Sequence, residues 1–293
     1  MSAPSYQALL TDQRWNDYSD DEHQVWNALF ERQIGVLRPR ACQQYLEALD
    51  ILGFTANSIP DFEEVNKRLR ERTGWEVVAT DGLIKSKAFF DMLTDRKFPS
   101  GRFIRTMDQL DYLEEPDIFH DLFGHIPLLI EPSYANYMYE YGKGGARALE
   151  YKTTRHLARL NWWTIEFGLI RSDEGLKMFG AGLMSSFSEA KYCLDDPSAH
   201  HIQFDIERCM RTRVYINDMQ PCYFVVDSFE DLFRRAVDTD FSPMYARFKG
   251  LNGLDRAEEF LPFDILESDQ VLRSGTLEYI APKRSELEAA ISL

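Results

Sequence analysis

After a polar opening, apolar residues recur along this chain at helical spacing, interrupted by a few short β-rich runs. Residues 1–18 hold no sustained period and read as an N-terminal arm. Ser19-Asp20-Asp21 marks a helix start, and Val25, Trp26, Leu29, Phe30 and Ile34 follow on one face. A second helix is expected over 40–52 with Gly53 as its stop, and a third from Asp61 to near Gly74. Residues 75–80 alternate and predict a short strand. Gly82 then turns the chain into a helix over 86–95, and 102–106 is a second strand candidate. Pro132 opens a helix expected to fade at Gly142, with Gly144-Gly145 as a loop. Residues 149–171 carry the longest helical pattern, apolar nearly all round in its last turns. The glycines in 180–194 allow close approach of backbone. A helix over 204–212, a strand over 222–226 and a helix from the N-cap Ser228 to about Val237 complete the pattern.

The fold class this predicts is mainly α with small β elements. Strands and helices do not alternate regularly, which argues against a doubly wound sheet. Gly250, Gly253, Pro262, Gly275 and Pro282 break up the chain beyond 240. The expected organisation is an arm over 1–18, a main domain over 19–240, and a C-terminal extension over 241–293 packed on the body, ending in a short helix over 284–291.

Composition narrows the setting. At 293 residues the chain can bury a sizeable core, and no apolar run is long enough to span a bilayer. A net charge of −15 repels nucleic acid and anionic membranes. Cys42, Cys193, Cys209 and Cys222 are scattered, without metal-binding spacing, and read as reduced thiols of a cytoplasmic protein.

Two stretches carry chemistry. Asp117-Ile118-Phe119-His120-Asp121-Leu122-Phe123-Gly124-His125 sets two of the chain's six histidines five residues apart. Asn161-Trp162-Trp163-Thr164-Ile165-Glu166-Phe167 holds one carboxylate in an almost wholly apolar run. A buried carboxylate needs a partner charge, which a divalent cation supplies. Two imidazoles and a carboxylate suit iron or zinc rather than calcium or magnesium. On an ideal helix, five steps of about 100° leave the histidines roughly 140° apart. One of them is therefore expected at a helix end or distorted turn, with Pro127 pushing Ile126 off helical dihedrals. The five-residue step also departs from the HExxH pattern of zinc peptidases, although a zinc-dependent hydrolase on the same ligands stays open at this point.

Glu115-Pro116-Asp117-Ile118-Phe119-His120-Asp121-Leu122-Phe123-Gly124-His125-Ile126-Pro127-Leu128 resembles the iron motif of the pterin-dependent aromatic amino acid hydroxylases. Residues 162–169 resemble the family's glutamate-ligand segment. Gly180-Ala181-Gly182-Leu183-Met184-Ser185-Ser186-Phe187-Ser188-Glu189 is similar to a third motif in the same order. The similarity spans about 42–237 and is strongest to short bacterial members that act on phenylalanine.

The resemblance implies a mostly helical catalytic domain with one non-haem Fe(II) held by His120, His125 and Glu166. It implies tetrahydrobiopterin or a related tetrahydropterin at Gly82, Leu83 and Phe89, with Asp121 nearby. Arg105 is implied to pair with the substrate carboxylate, as its planar fork allows. Trp162 and Phe167 would lie around the substrate, and Ser185 would hydrogen-bond a ligating histidine. The implied reaction is hydroxylation of L-phenylalanine to L-tyrosine with O2, with tryptophan 5-hydroxylation as the alternative within the family. Small molecules are the expected partners, in a monomer or dimer. Three departures stand out. Leu113-Glu114 replaces Thr-Pro, Asn161 replaces a common aromatic residue, and Asp121 replaces a frequent glutamate.

Overall fold

The computed structural model describes residues 6–82, 84–111, 113, 115–215, 218–250, 259–283 and 285. Leu83, Glu114, Ile216 and all but Ser285 of the helix expected over 284–291 lie outside the described residues.

Strand β1 (Leu10–Thr11) comes from the expected arm. Helix α1 (Asp20–Leu37) starts in a capping box, in which Ser19 and Glu22 satisfy each other's backbone N–H. Helix α2 (Gln43–Leu52) starts later than expected, because Arg40 and Cys42 exchange backbone hydrogen bonds with Met178. It ends on Gly53 at φ +73°, the left-handed stop the sequence calls for. Helix α3 (Phe62–Arg72) takes Asp61 as its N-cap. Strand β2 (Glu76–Thr80) and helix α4 (Ser86–Thr94) follow as expected.

The second strand is displaced. Strand β3 is Lys97–Ser100, parallel to β2, whereas 102–106 joins no sheet. There the Arg105 N–H is taken by the Asp117 carboxylate at 3.0 Å, and the Phe103 carbonyl accepts from the Ile118 N–H. Helix α5 (Pro132–Tyr151) runs straight through the glycines read as a loop. A Cβ on Gly142 would stand 2.7 Å from Leu93, and one on Gly145 would stand 2.1 Å from the Phe90 ring. These glycines mark where α5 crosses α4, not a turn.

The long helix expected over 149–171 is broken. Lys152 turns left-handed at φ +58°, helix α6 covers Thr154–Asn161, a π turn covers Trp162–Glu166, and strand β4 covers Leu169–Ser172. The apolar pair Leu169 and Ile170, read as helix, is a strand core facing Val225 and Val226. Strand β5 (Gly175–Met178) returns antiparallel to β4. The 180–194 stretch splits at Ser186 into α7 (Ala181–Ser185) and α8 (Phe187–Asp195). Strand β6 (His200–Gln203), helix α9 (Ile206–Arg211), strand β7 (Cys222–Val226), helix α10 (Phe229–Asp238), helix α11 (Ser242–Gly250) and strand β8 (Val271–Arg273) follow.

The architecture is helices around two small sheets, in the orders β1-β2-β3 and β5-β4-β7-β6-β8. Strand β8, from the expected extension, pairs antiparallel with β6. One large apolar core joins the helices to both sheets, and the four cysteines are buried free thiols. Phe119 and Phe123, flanking His120, are fully buried and stack at 4.7 Å within this core. That packing fixes the backbone on which the first histidine rides.

Candidate active site

The awkward histidine spacing has a local solution. His120–His125 forms a π turn, in which residues five apart share a face. Ile126 stays helical at φ −69° and ψ −38°, so the expected push from Pro127 is absent. Pro127 instead begins a short 3-10 helix over Pro127–Ile130. The second π turn, Trp162–Glu166, delivers the carboxylate. Helix α7 is wedged between the two turns, and three glycines permit it. A Cβ on Gly124 would meet the Ala181 carbonyl at 2.8 Å, and one on Gly180 would meet the Glu166 carbonyl at 2.2 Å. Gly182 lies against the Glu166 carboxylate, where its added Cβ would stand 3.4 Å from Oε2.

The three side chains converge. His120 Nε2 and His125 Nε2 stand 3.1 Å apart, and His125 Nε2 lies 3.1 Å from Glu166 Oε1. His120 Nε2 is 3.8 Å from Glu166 Oε2, and one ligand atom from each residue lies within 4.8 Å of the others. The Ser185 hydroxyl donates to the Ala181 carbonyl at 2.9 Å, so it accepts from His120 Nδ1 at 2.8 Å. That assigns the proton to Nδ1 and turns the Nε2 lone pair toward His125 and Glu166.

Burial pushes His120 below its ordinary pKa. Burial pulls His125 the same way, but the Glu166 carboxylate outweighs it and leaves His125 raised. Burial would raise Glu166, yet His125 and His120 hold it down to about 2. Lone pairs and one negative charge thus face a common point, a donor set that fits a divalent cation such as iron.

A cavity of about 880 Å³ opens onto these ligands. His120, His125, Glu166, Asp121, Gly82 and Phe89 all line it. Gly82 holds φ +73°, and Asp121 accepts the Gly101 N–H at 2.8 Å while burial raises its pKa. Arg105, Trp162, Phe167 and Ser185 are not among the lining residues. The Arg105 side chain is 9% exposed and clasps Asp117, and Trp162 stacks on Phe167 at 5.7 Å. Sequence reading missed Phe98, which packs 4.8 Å from the His125 ring, and the lining residues Arg14 and Met138. Asn161, noted in the sequence as a departure from the family pattern, also lines the cavity. Arg14 carried no signal in the sequence.

The family model of the biopterin-dependent aromatic amino acid hydroxylases matches residues 13–247. A phenylalanine-4-hydroxylase of Caulobacter vibrioides is 46% identical over 92% of this chain and 89% of its own. One of Chromobacterium violaceum is 45% identical over 88% and 84%. The solved structure of the Chromobacterium violaceum phenylalanine hydroxylase bound to cobalt superposes with a TM-score of 0.86 at 42% identity, covering 92% of this chain and 95% of that one. The histidine–carboxylate cluster at the floor of the cavity and these likenesses together place the chain in the biopterin-dependent aromatic amino acid hydroxylase family.

Proposed function

We propose that the chain is a tetrahydropterin-dependent Fe(II) monooxygenase that hydroxylates L-phenylalanine to L-tyrosine with O2. The observation that carries this reading is the convergence of His120, His125 and Glu166 in a chain 46% identical to a phenylalanine-4-hydroxylase. His120, His125 and Glu166 are the groups that would hold the iron, which when bound supplies oxygen activation beside the reduced pterin.

The chain's own residues bind, orient and exclude water. Gly82, Leu83 and Phe89 are proposed to seat tetrahydrobiopterin or a related pterin, the ring lying on the Phe89 face, with Asp121 nearby. Arg105 is proposed to take the substrate carboxylate. Asp117 uses only Nε and one Nη2 proton of its fork, and a guanidinium has five donors. Trp162 and Phe167 back the substrate region as a stacked pair. Ser185 keeps His120 in the tautomer that presents Nε2 as a ligand.

Residues 19–240 are proposed as the iron and pterin unit, with 1–18 and 241–293 packed on it. The pairing of β1 with β2 and of β8 with β6 supports that packing. A cytoplasmic monomer or dimer acting on small molecules, not on nucleic acid or membrane, agrees with the charge of −15. Among the described residues no helix is long and apolar enough to cross a membrane.

The test is Fe(II)-loaded protein with reduced pterin and O2, offered phenylalanine, tryptophan and tyrosine in parallel, with products separated by chromatography. Tyrosine formed from phenylalanine is expected. Preferential 5-hydroxytryptophan would shift the substrate, and bound zinc without pterin-dependent oxygen uptake would restore the hydrolase.

A further inference from the structure

Glu259 belongs to the C-terminal extension and lies beyond residues 13–247, over which the family model matches. It sits in no helix or strand, yet its side chain is only 4% exposed and three guanidinium groups surround it. Its Oε1 accepts from Arg155 Nη2 at 2.7 Å and lies 3.0 Å from Arg159 Nη2, and its Oε2 accepts from Arg213 Nε at 2.6 Å. Burial would raise Glu259, but Arg159 and the other two arginines outweigh it and hold the carboxyl below the usual carboxylate range.

Arg159 is the partner that depends on this carboxylate. Arg155 is exposed to water, whereas Arg159 lies on the buried side of α6 with His156, Leu157 and Leu160. Among the described residues Glu259 is the only carboxylate within ion-pair distance of Arg159. A buried guanidinium that loses its counter-ion must find water, because the uncompensated charge is costly to keep dry. For Arg159 that means shifting α6, which runs without a break into the π turn Trp162–Glu166.

A second tie reaches the same turn. Phe260, next to Glu259, donates its N–H to the Arg211 carbonyl at 2.9 Å and accepts from the Arg213 N–H at 3.0 Å. Between those two arginines, the Thr212 carbonyl accepts the indole N–H of Trp163 at 3.0 Å, and Trp163 is fully buried within the π turn. Glu259 and Phe260 thus hold the turn through α6 on one side and through Thr212 on the other. We propose that Glu259 is a positioning residue for the metal site, which pairs with Arg159 and so fixes the π turn that presents Glu166. The inference rests on the metal-binding role proposed above, and it extends the iron-binding unit past residue 240.

The test is metal binding by the full chain without pterin, substrate or oxygen. Competition with a chelator reads the Fe(II) affinity, and the visible absorption of Co(II)-loaded protein reports the geometry around the metal. Glu259→Gln keeps the shape of the side chain and removes its charge. A double variant, Glu259→Gln with Arg159→Met, also removes the buried cation and leaves an apolar chain of similar length.

Glu259→Gln is expected to bind Fe(II) about tenfold more weakly than the wild type and to shift the Co(II) bands. The double variant should recover most of that loss, since the harm comes from a buried charge left without its partner. A Glu259→Gln protein that melts lower but keeps wild-type affinity and Co(II) bands would overturn the assignment and leave the carboxylate a role in stability alone. A double variant no better than Glu259→Gln would overturn it as well. Should Glu259→Gln fail to fold, the double variant decides: recovered folding and metal binding support the assignment, and their loss overturns it. Wild-type protein that takes up neither metal would overturn the proposed function together with this inference.

Discussion

The Arg105 guanidinium and the Asp117 carboxylate close a two-point ion pair, Nε to Oδ2 at 2.8 Å and Nη2 to Oδ1 at 2.9 Å. The same carboxylate accepts the backbone N–H of His120 at 3.1 Å, so the proposed substrate arginine and a proposed iron ligand share one buried anion. Burial pushes Asp117 up, and the guanidinium and N–H donors reverse that and hold it below the usual carboxylate range. Arg105→Ala should then do two things. It should raise the KM for phenylalanine more than it lowers kcat, having removed binding shared by ground and transition states. It should also destabilise the fold by about 3–5 kcal/mol, because it strands a buried charge. Steady-state kinetics and a denaturant midpoint read the two effects. A raised KM with an unmoved midpoint would mean that Asp117 needs no partner.

Ser185 fixes the His120 tautomer through Nδ1 without lining the cavity. Ser185→Ala should lower iron affinity by about 10–100-fold, the usual cost of losing such an orienting hydrogen bond. Competition with a chelator measures this directly. Wild-type affinity in that variant would show that the π turn alone holds the ring.

Two neighbouring glycines in α5 should respond in opposite directions. At Gly145 an added Cβ meets the Phe90 ring at 2.1 Å, so Gly145→Ala should cost about 1–3 kcal/mol as overpacking. At Gly144 the nearest atom is 3.8 Å away, and Gly144→Ala should be stabilising by up to about 1 kcal/mol through helix propensity. Thermal melts of the pair would separate packing from propensity. Similar shifts in both would contradict the close α4–α5 crossing.

These glycines also show where the sequence was legible and where it was not. Caps were readable, since Ser19, Asp61, Gly53 and Ser228 act through their own neighbours. Gly144-Gly145 read as a loop because close approach of α4 is a long-range fact that no local pattern carries. Leu169-Ile170 read as helix because a short apolar run fits either state until Val225 and Val226 arrive to pair with it. The metal ligands were visible as residue types, but their convergence depends on two π turns, and a 3.6-residue period counts such a turn as a defect. Arg105 was singled out only through the family resemblance, while the buried Asp117 that holds it lay twelve residues away and was given no role.

Glu189 offers a pH test away from the metal ligands. Its carboxylate accepts from the Tyr223 hydroxyl at 2.8 Å and the Gln220 N–H at 3.1 Å. Burial pushes its pKa up to about 7 against those two donors, with Asp218 adding to the rise. The unfolded chain releases this proton near 4.5, so the native state binds more protons between there and about 7. Stability must therefore fall as pH rises through that interval and stay lowered above it. Glu189→Gln keeps the acceptor oxygen and removes the charge. Its melting temperature should differ little from wild type at pH 5 and exceed it by about 2 °C or more at pH 8. Scanning calorimetry at the two pH values decides the matter. A gap between variant and wild type that does not widen with pH would mean that Glu189 is ionised in the native fold at no cost.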